Sequence, residues 1–483
     1  MAAEATPALL WAPLAWLPDG WRSNVVLRAG DDGRWAEVTA DVATAPEGAR
    51  VVGGPLLPAV VDAHSHAFQR AFAGGAERRD AASDDFWSWR DRMYAVALRI
   101  GPEQLRAVAA QLYVELLRGG YTHVCEFHYL RRDRDGSEHA DPLAMSWALV
   151  DAAADAGIGL TILPVLYERA GFAADALRED QRRFRSSPAE TFAAAQRIRD
   201  AARPLVDSGL AIHSLRAASA TSIAALARLA EAFPGPIHIH VGEQTGEVDE
   251  CIAATGARPI EWLVRESRLD ARWQLVHATH STAQEIAAVA ASGAGIVVCP
   301  STEANLGDGL CDLPGWLGAG VPLAIGSDSQ ATRDWCEELR LLEYGQRLAR
   351  RERNVAAAPE LGVASSAERL LSRVLASCAA AAGQPAWGLV AGARADALVV
   401  DPRADALLGV APERSLDALV FSSPSTPWRE VMVAGSPVIR DGVHTEAAAI
   451  RARFVTAMQE LADERAVTAH KAGASGSAAA ERS

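Results

Sequence analysis

Two histidines one residue apart, His64 and His66, close the apolar run Pro55-Leu-Leu-Pro-Ala-Val-Val-Asp-Ala63. Side chains alternate along a strand with period two, so both imidazoles fall on one face at its end. Convergent imidazoles predict a metal. Further along, His240 follows Pro236-Ile-His-Ile, His277 follows Trp273-Gln-Leu-Val, and Asp328 follows Pro322-Leu-Ala-Ile-Gly-Ser. Each stands where a short apolar run ends. A catalytic zinc takes about three protein ligands plus water, and neutral imidazoles with one carboxylate suit it. His64, His66, His240 and Asp328 are read as that set. Were they only hydrogen-bonded core residues, several polar rings would be buried at one rim with no shared purpose.

Glu243, three residues past His240, falls where the strand has turned into a loop, and its carboxylate is the candidate general acid/base. His277 is read as an electrophile that hydrogen-bonds the attacked group rather than as a full ligand. His238 shares a strand face with His240 but lies one pleat deeper, which makes it a core residue. His280 begins the next loop, and His123, His139, His444 and His470 have no site context.

The elements that must position these side chains follow from alternation. Residues 1–54 read as short strands with turn signals, among them Asp19-Gly20 and Gly53-Gly54. From Pro55 onward, apolar runs alternate with amphipathic Ala/Arg/Glu/Leu segments of helical spacing. Eight strands are expected, over 55–66, 121–129, 158–167, 210–215, 236–243, 273–279, 293–300 and 322–328. Eight strand–helix units in series imply an α/β fold, a closed parallel (β/α)8 TIM barrel over 55–384 with its active site at the C-terminal strand ends. Strand-like runs return over 385–450 and are expected to pair with 1–54 in a composite β-sandwich. A C-terminal helix over 451–466 and a disordered Ala/Ser/Gly-rich tail over 467–483 complete the chain.

Composition narrows the chemistry. The 483 residues carry 47 Lys and Arg against 61 Asp and Glu, a net charge of -14 that disfavours nucleic acid and anionic lipid as partners. An anionic substrate then needs a local basic pocket. Six cysteines lie far apart with no C-x-x-C pair, so reduced, mostly buried thiols are expected. The first apolar stretch, Leu9 to Leu17, is broken by Pro13 and has no basic residue before Arg22, which is wrong for a secretory signal. No run is long enough to span a bilayer, and the cytoplasm is the expected location. Lys471 is the only lysine, so the barrel has none to be carboxylated as a bridge between two metals. One metal per subunit is favoured.

The strings His64-Ser-His-Ala-Phe-Gln-Arg70, Glu126-Phe-His-Tyr129, Leu163-Pro-Val-Leu-Tyr167, His213-Ser-Leu-Arg216, His240-Val-Gly-Glu243, Leu275-Val-His-Ala-Thr-His280, Cys299-Pro-Ser-Thr-Glu-Ala-Asn-Leu-Gly307 and Gly326-Ser-Asp-Ser329 resemble the formimidoylglutamate deiminases of the amidohydrolase superfamily. The H-x-H, H-x-x-E and S-D elements point only to the superfamily. The Phe-Gln-Arg, His-Ser-Leu-Arg and Ser-Thr-Glu-Ala-Asn strings narrow it.

The resemblance implies zinc on His64, His66, His240 and Asp328, and hydrolysis of N-formimidoyl-L-glutamate to N-formyl-L-glutamate and ammonia in histidine breakdown. It also implies that Gln69, Arg90, Tyr129, His213 and Arg216 hold the substrate and that His277 holds its formimidoyl group. Glu243, His277 and Asp328 would be the catalytic residues, and a homodimer is the family expectation. Physical chemistry agrees on one point, because guanidinium pairs carboxylates bidentately and a dicarboxylate calls for such donors. Arg90 is placed in the long loop after strand one. Gln330 stands where many relatives have His, which leaves its effect on substrate range open. Iron or manganese would also suit the ligands. Two rivals remain: a one-metal deaminase of a purine, pyrimidine or adenosylhomocysteine, and a catalytically dead binding barrel. The cytidine-deaminase type is excluded, because its Pro-Cys-x-x-Cys element is missing.

Overall fold

The computed structural model describes residues 9–79 and 86–480. Eight strands run in chain order around a parallel sheet: β1 (Val60–Ser65), β2 (Tyr121–His128), β3 (Gly159–Leu166), β4 (Leu210–Ser214), β5 (Ile237–Val241), β6 (Trp273–His277), β7 (Gly295–Val298) and β8 (Leu323–Ile325). Nearly every residue in them is buried, as continuous Val/Ile/Leu runs covered on both faces require. A short extra strand, Val206–Ser208, pairs beside β3. Helices between the strands begin at explicit caps: Ser187 with Glu190 opens Pro188–Asp200, and Thr282 with Glu285 opens Ala283–Ser292.

The barrel closes just past β8. Ser65 and Asp328 form a parallel bridge, with Asp328 N–H donating to the His64 carbonyl at 2.9 Å and His66 N–H to the Asp328 carbonyl at 3.2 Å. Asp62 reinforces the seam by accepting from the Ser327 amide (2.9 Å) and hydroxyl (2.6 Å). Gly326 permits the approach: a Cβ there would lie 2.7 Å from both the Cβ and the carbonyl oxygen of His64.

The two ends of the chain meet in a second, mixed sheet of nine strands. Leu9–Leu17, Gly20–Ala29, Trp35–Thr39, Arg50–Val51 and Leu56–Leu57 come from the N-terminal side; Ala397–Val400, Trp428–Val433, Ser436–Arg440 and Val443–His444 come from the C-terminal side. Leu57 pairs antiparallel with Leu398 at the junction. This sheet has its own small core, with Leu10, Val25, Leu27, Trp35 and Val399 at its centre.

Three expectations change. The run over 55–66 is two strands, not one: Leu56–Leu57 belongs to the small sheet and only Val60–Ser65 enters the barrel, with Pro58 and Ala59 between them. Proline cannot donate to a ladder, and here it marks the change of sheet. Arg90 lies on a helix, Phe86–Ala97, rather than in a loop. The last helix is Ala447–Ala480, so it passes through the segment expected to be a disordered tail, carried by alanine, the strongest helix former. All six cysteines are free and buried. Among the described residues no helix is long and apolar enough to cross a membrane.

Candidate active site

The side chains singled out from the sequence gather at the C-terminal mouth of the barrel. His64 and His66 leave the end of β1, His240 that of β5, His277 that of β6, and Asp328 follows β8. The Nε2 atoms of His64 and His240 are 3.0 Å apart, and those of His64 and His66 each lie 3.4 Å from Asp328 Oδ1. One nitrogen from each of His64, His66 and His240 falls in a group whose atoms all lie within 4.8 Å of one another.

Hydrogen bonds behind two of the rings settle their tautomers. His66 Nδ1 is 2.9 Å from the Phe127 carbonyl, and His240 Nδ1 is 2.9 Å from the His213 carbonyl. A carbonyl only accepts, so Nδ1 carries the proton and each Nε2 lone pair faces inward. Burial keeps the rings neutral: His64 is pushed down to about 3, and His66 and His240 are lowered as well. For Asp328, burial alone would raise its carboxyl, but the His64 ring and the neighbouring imidazoles outweigh it and hold it below the usual carboxylate range. Neutral lone pairs and an ionised carboxylate converging at this spacing repel one another unless a cation sits among them. The donor set fits a divalent metal of the zinc type.

Beside this cluster, Glu243 Oε1 lies 3.7 Å from His277 Nε2, and Asp328 Oδ2 lies 3.8 Å from the same nitrogen. Burial raises the Glu243 carboxyl against the pull of His277 and Arg216. Burial would lower His277, but Glu243, Glu303 and Asp328 together lift it to about 10. The flanking carboxylates thus favour the imidazolium form of the ring. The backbone bends sharply where these groups sit, with φ of 69° at His277, 50° at Ala278, 46° at Asp328 and 70° at Gln330. Such left-handed non-glycine residues cost about 1–3 kcal/mol each and cluster at sites where a side chain must be aimed.

A pocket opens from the cluster. Gln69, Arg90, Tyr129, His213 and Arg216 all line it, together with His66, His240, Glu243, His277 and Asp328; of the expected ligand, catalytic and substrate-holding residues only His64 does not. Gln69 donates to the Tyr129 hydroxyl at 3.3 Å, and its buried Oε1 has no hydrogen-bond partner among the described residues. A register shift between Ile212 and Ser214 marks a bulge at His213, which re-aims that ring while its carbonyl holds His240. Arg90 lies over the Tyr94 ring at 5.5 Å, and Arg216 Nη2 is 3.9 Å from Glu243 Oε2.

Several residues of the site escaped the sequence reading. Glu303, inside the string Cys299-Pro-Ser-Thr-Glu, lies 3.3 Å from His277 Nδ1 and accepts from the Cys299 amide; a carboxylate one helical turn after a strand end was the available signal. Trp89, Tyr94 and Tyr167 also line the pocket. Gln330 does not. It is buried, and its amide donates to Ser65 Oγ (3.0 Å) and to the Asp328 carbonyl (2.9 Å), so it braces the barrel seam. His238 bonds the Ala381 carbonyl and His280 the Asp308 carbonyl, both away from the cluster.

The profile of the amidohydrolase family matches residues 56–438, which takes in all of the barrel. The chain belongs to the amidohydrolase family. It is a hydrolase acting on C–N bonds. Over 456 residues this amidohydrolase is 43% identical to the formimidoylglutamate deiminase of Pseudomonas aeruginosa, an alignment covering 94% of this chain and 99% of that one. A 5-methylthioadenosine/S-adenosylhomocysteine deaminase of Natronomonas pharaonis is 28% identical over 315 residues, 65% of this chain and 67% of the relative. Among solved structures, an amidohydrolase from Brucella melitensis superimposes with a TM-score of 0.89 at 38% identity, covering 94% of this chain and 99% of that one.

Proposed function

We propose that this amidohydrolase hydrolyses N-formimidoyl-L-glutamate to N-formyl-L-glutamate and ammonia, as a step of histidine breakdown, with one zinc per subunit held by His64, His66, His240 and Asp328. The observation that carries the reading is the pocket itself, in which Arg90 and Arg216 share one cavity with His66, His240, Glu243, His277 and Asp328. The 43% identity to a formimidoylglutamate deiminase supports the same substrate.

Zinc held there supplies Lewis acidity that makes water nucleophilic near neutral pH. Everything else falls to side chains. Arg90 and Arg216, with Gln69, Tyr129 and His213, hold the glutamate portion, and the fixed fork of each guanidinium suits a carboxylate. Asp328 takes a proton from the attacking water. As the new C–O bond forms, the His277 imidazolium donates to the formimidoyl group and stabilises the tetrahedral centre. Glu243, its carboxyl raised by burial, carries a proton to the departing nitrogen. Both protons of the water end on that nitrogen, the first passed on from Asp328 and the second given up by the new hydroxyl by way of Glu243, so the C–N bond breaks, ammonia leaves and the formyl C=O remains.

The deciding experiment incubates purified zinc-loaded protein with formimidoylglutamate and measures ammonia and formylglutamate together. Equal release of both supports the proposal. Ammonia from adenosine, adenosylhomocysteine, guanine or cytosine derivatives, with none from formimidoylglutamate, overturns it in favour of the nucleoside-type deaminases. The reading also carries a cytoplasmic homodimer, which light scattering coupled to gel filtration tests through the mass.

A further inference from the structure

Tyr94 and Tyr167 line the pocket with their hydroxyl oxygens 3.5 Å apart. Behind them lies Gln181, 1% exposed, in the short helix Glu179–Phe184. The backbone N–H of Arg178 donates to Gln181 Oε1 at 3.1 Å. That contact decides which end of the amide is which, because only the oxygen can accept. The NH2 group therefore faces the tyrosines, 3.3 Å from the Tyr94 hydroxyl and 3.0 Å from that of Tyr167.

An amide NH2 donates and cannot accept. Each hydroxyl thus receives a hydrogen bond from Gln181 and keeps its own proton to give. One hydroxyl can donate to the other across 3.5 Å, but among the described residues neither has any other acceptor. At least one phenolic proton is left for whatever enters the pocket. Burial keeps the Tyr167 phenol protonated far above neutral pH. Arg90 lies over the ring of Tyr94, which puts guanidinium and phenol on the same wall.

The geometry points to Tyr94 and Tyr167 as a donor arm for one carboxylate of the substrate, aimed by Gln181 as a positioning residue. This rests on the reading of the substrate as a dicarboxylate. A carboxylate is acceptor-only, and hydrogen bonds to it are roughly twice as strong as neutral ones, so the arm selects the diacid over its monoamide.

Gln181→Glu tests the arm. It keeps the length of the side chain and an oxygen for the Arg178 amide, but it offers the tyrosines only acceptors and turns their protons away from the pocket. Gln181→Met removes the donor without adding charge. For Q181E, KM for formimidoylglutamate and Kd for glutarate, read by calorimetry, should each rise about tenfold or more. The rise in Q181M, Tyr94→Phe and Tyr167→Phe should be smaller, with kcat within about threefold and zinc content unchanged throughout. Values for Q181E within twofold of wild type overturn the arm, as does a loss of thermal stability or kcat with KM unmoved. Wild-type protein that binds no glutarate overturns it too. Protein that binds glutarate through the arm yet does not turn over formimidoylglutamate retains the arm and removes the proposed activity.

Discussion

Glu243 stands between an imidazolium and a guanidinium, 3.7 Å from His277 Nε2 and 3.9 Å from Arg216 Nη2, inside a buried pocket. Both cations favour its charged form while burial opposes it, and the carboxyl ends up raised, ready to hold a proton during part of a cycle. Glu243→Gln should leave zinc content near one equivalent by elemental analysis and lower kcat by about 10²-fold or more; activity close to wild type would remove Glu243 from proton transfer. His238 makes a contrasting case, because its ring is buried away from the cluster. Its Nε2 bonds the Ala381 carbonyl, and burial pushes it down to about 4. The unfolded chain takes up a proton at about pH 6.5, while the folded ring stays neutral until about 4. Its contribution to stability is therefore full above pH 6.5 and is lost as pH falls. His238→Gln should gain on wild type by up to about 3 kcal/mol between pH 6.5 and 4 in urea unfolding. Parallel profiles for the two proteins would contradict this.

At the scale of elements, the seam between β1 and β8 holds the site together, since it carries His64 and His66 on one side and Asp328 on the other. Gly326→Ala would place a Cβ 2.7 Å from the His64 carbonyl, backbone that cannot swing aside. The variant should lose stability and retain less than one equivalent of zinc after gel filtration; full retention with a wild-type melting temperature would show that the seam opens without cost. The strands of this seam were legible in the sequence because parallel barrel strands are buried on both faces and read as apolar runs, and because period two puts His64 and His66 together. The join at Pro58 was not, as an apolar run does not say which sheet it enters. Nor were Tyr94 and Tyr167, which line the pocket from a helix and a strand end, or Gln181, which lies behind them in a short helix, because no local spacing connects the three. Glu303 was hidden for a related reason: its partner His277 lies on a different strand–helix unit.

Across the whole molecule, the proposed ligands come from the ends of the first, fifth and last barrel strands, so a cation held by them would brace the closed ring against opening. Dialysis against a chelator should abolish activity and lower the melting temperature, and one equivalent of zinc should restore both. At free zinc 1,000 times its Kd the stabilisation is about 4 kcal/mol. Equal melting curves with and without metal would argue that the ring closes independently of it. The two closures, Leu57 on Leu398 and Asp62 on Ser327, also impose a timetable on biosynthesis. Translation at about 5–20 residues per second separates the first pair by roughly 20 to 70 s. During that interval Leu9–Leu17 can already pair with Gly20–Ala29, but Leu56–Leu57 lacks its partner Ala397–Val400, and His64 and His66 precede Asp328. On the proposed ligand set, a zinc site would therefore be complete only once Asp328 has been synthesised.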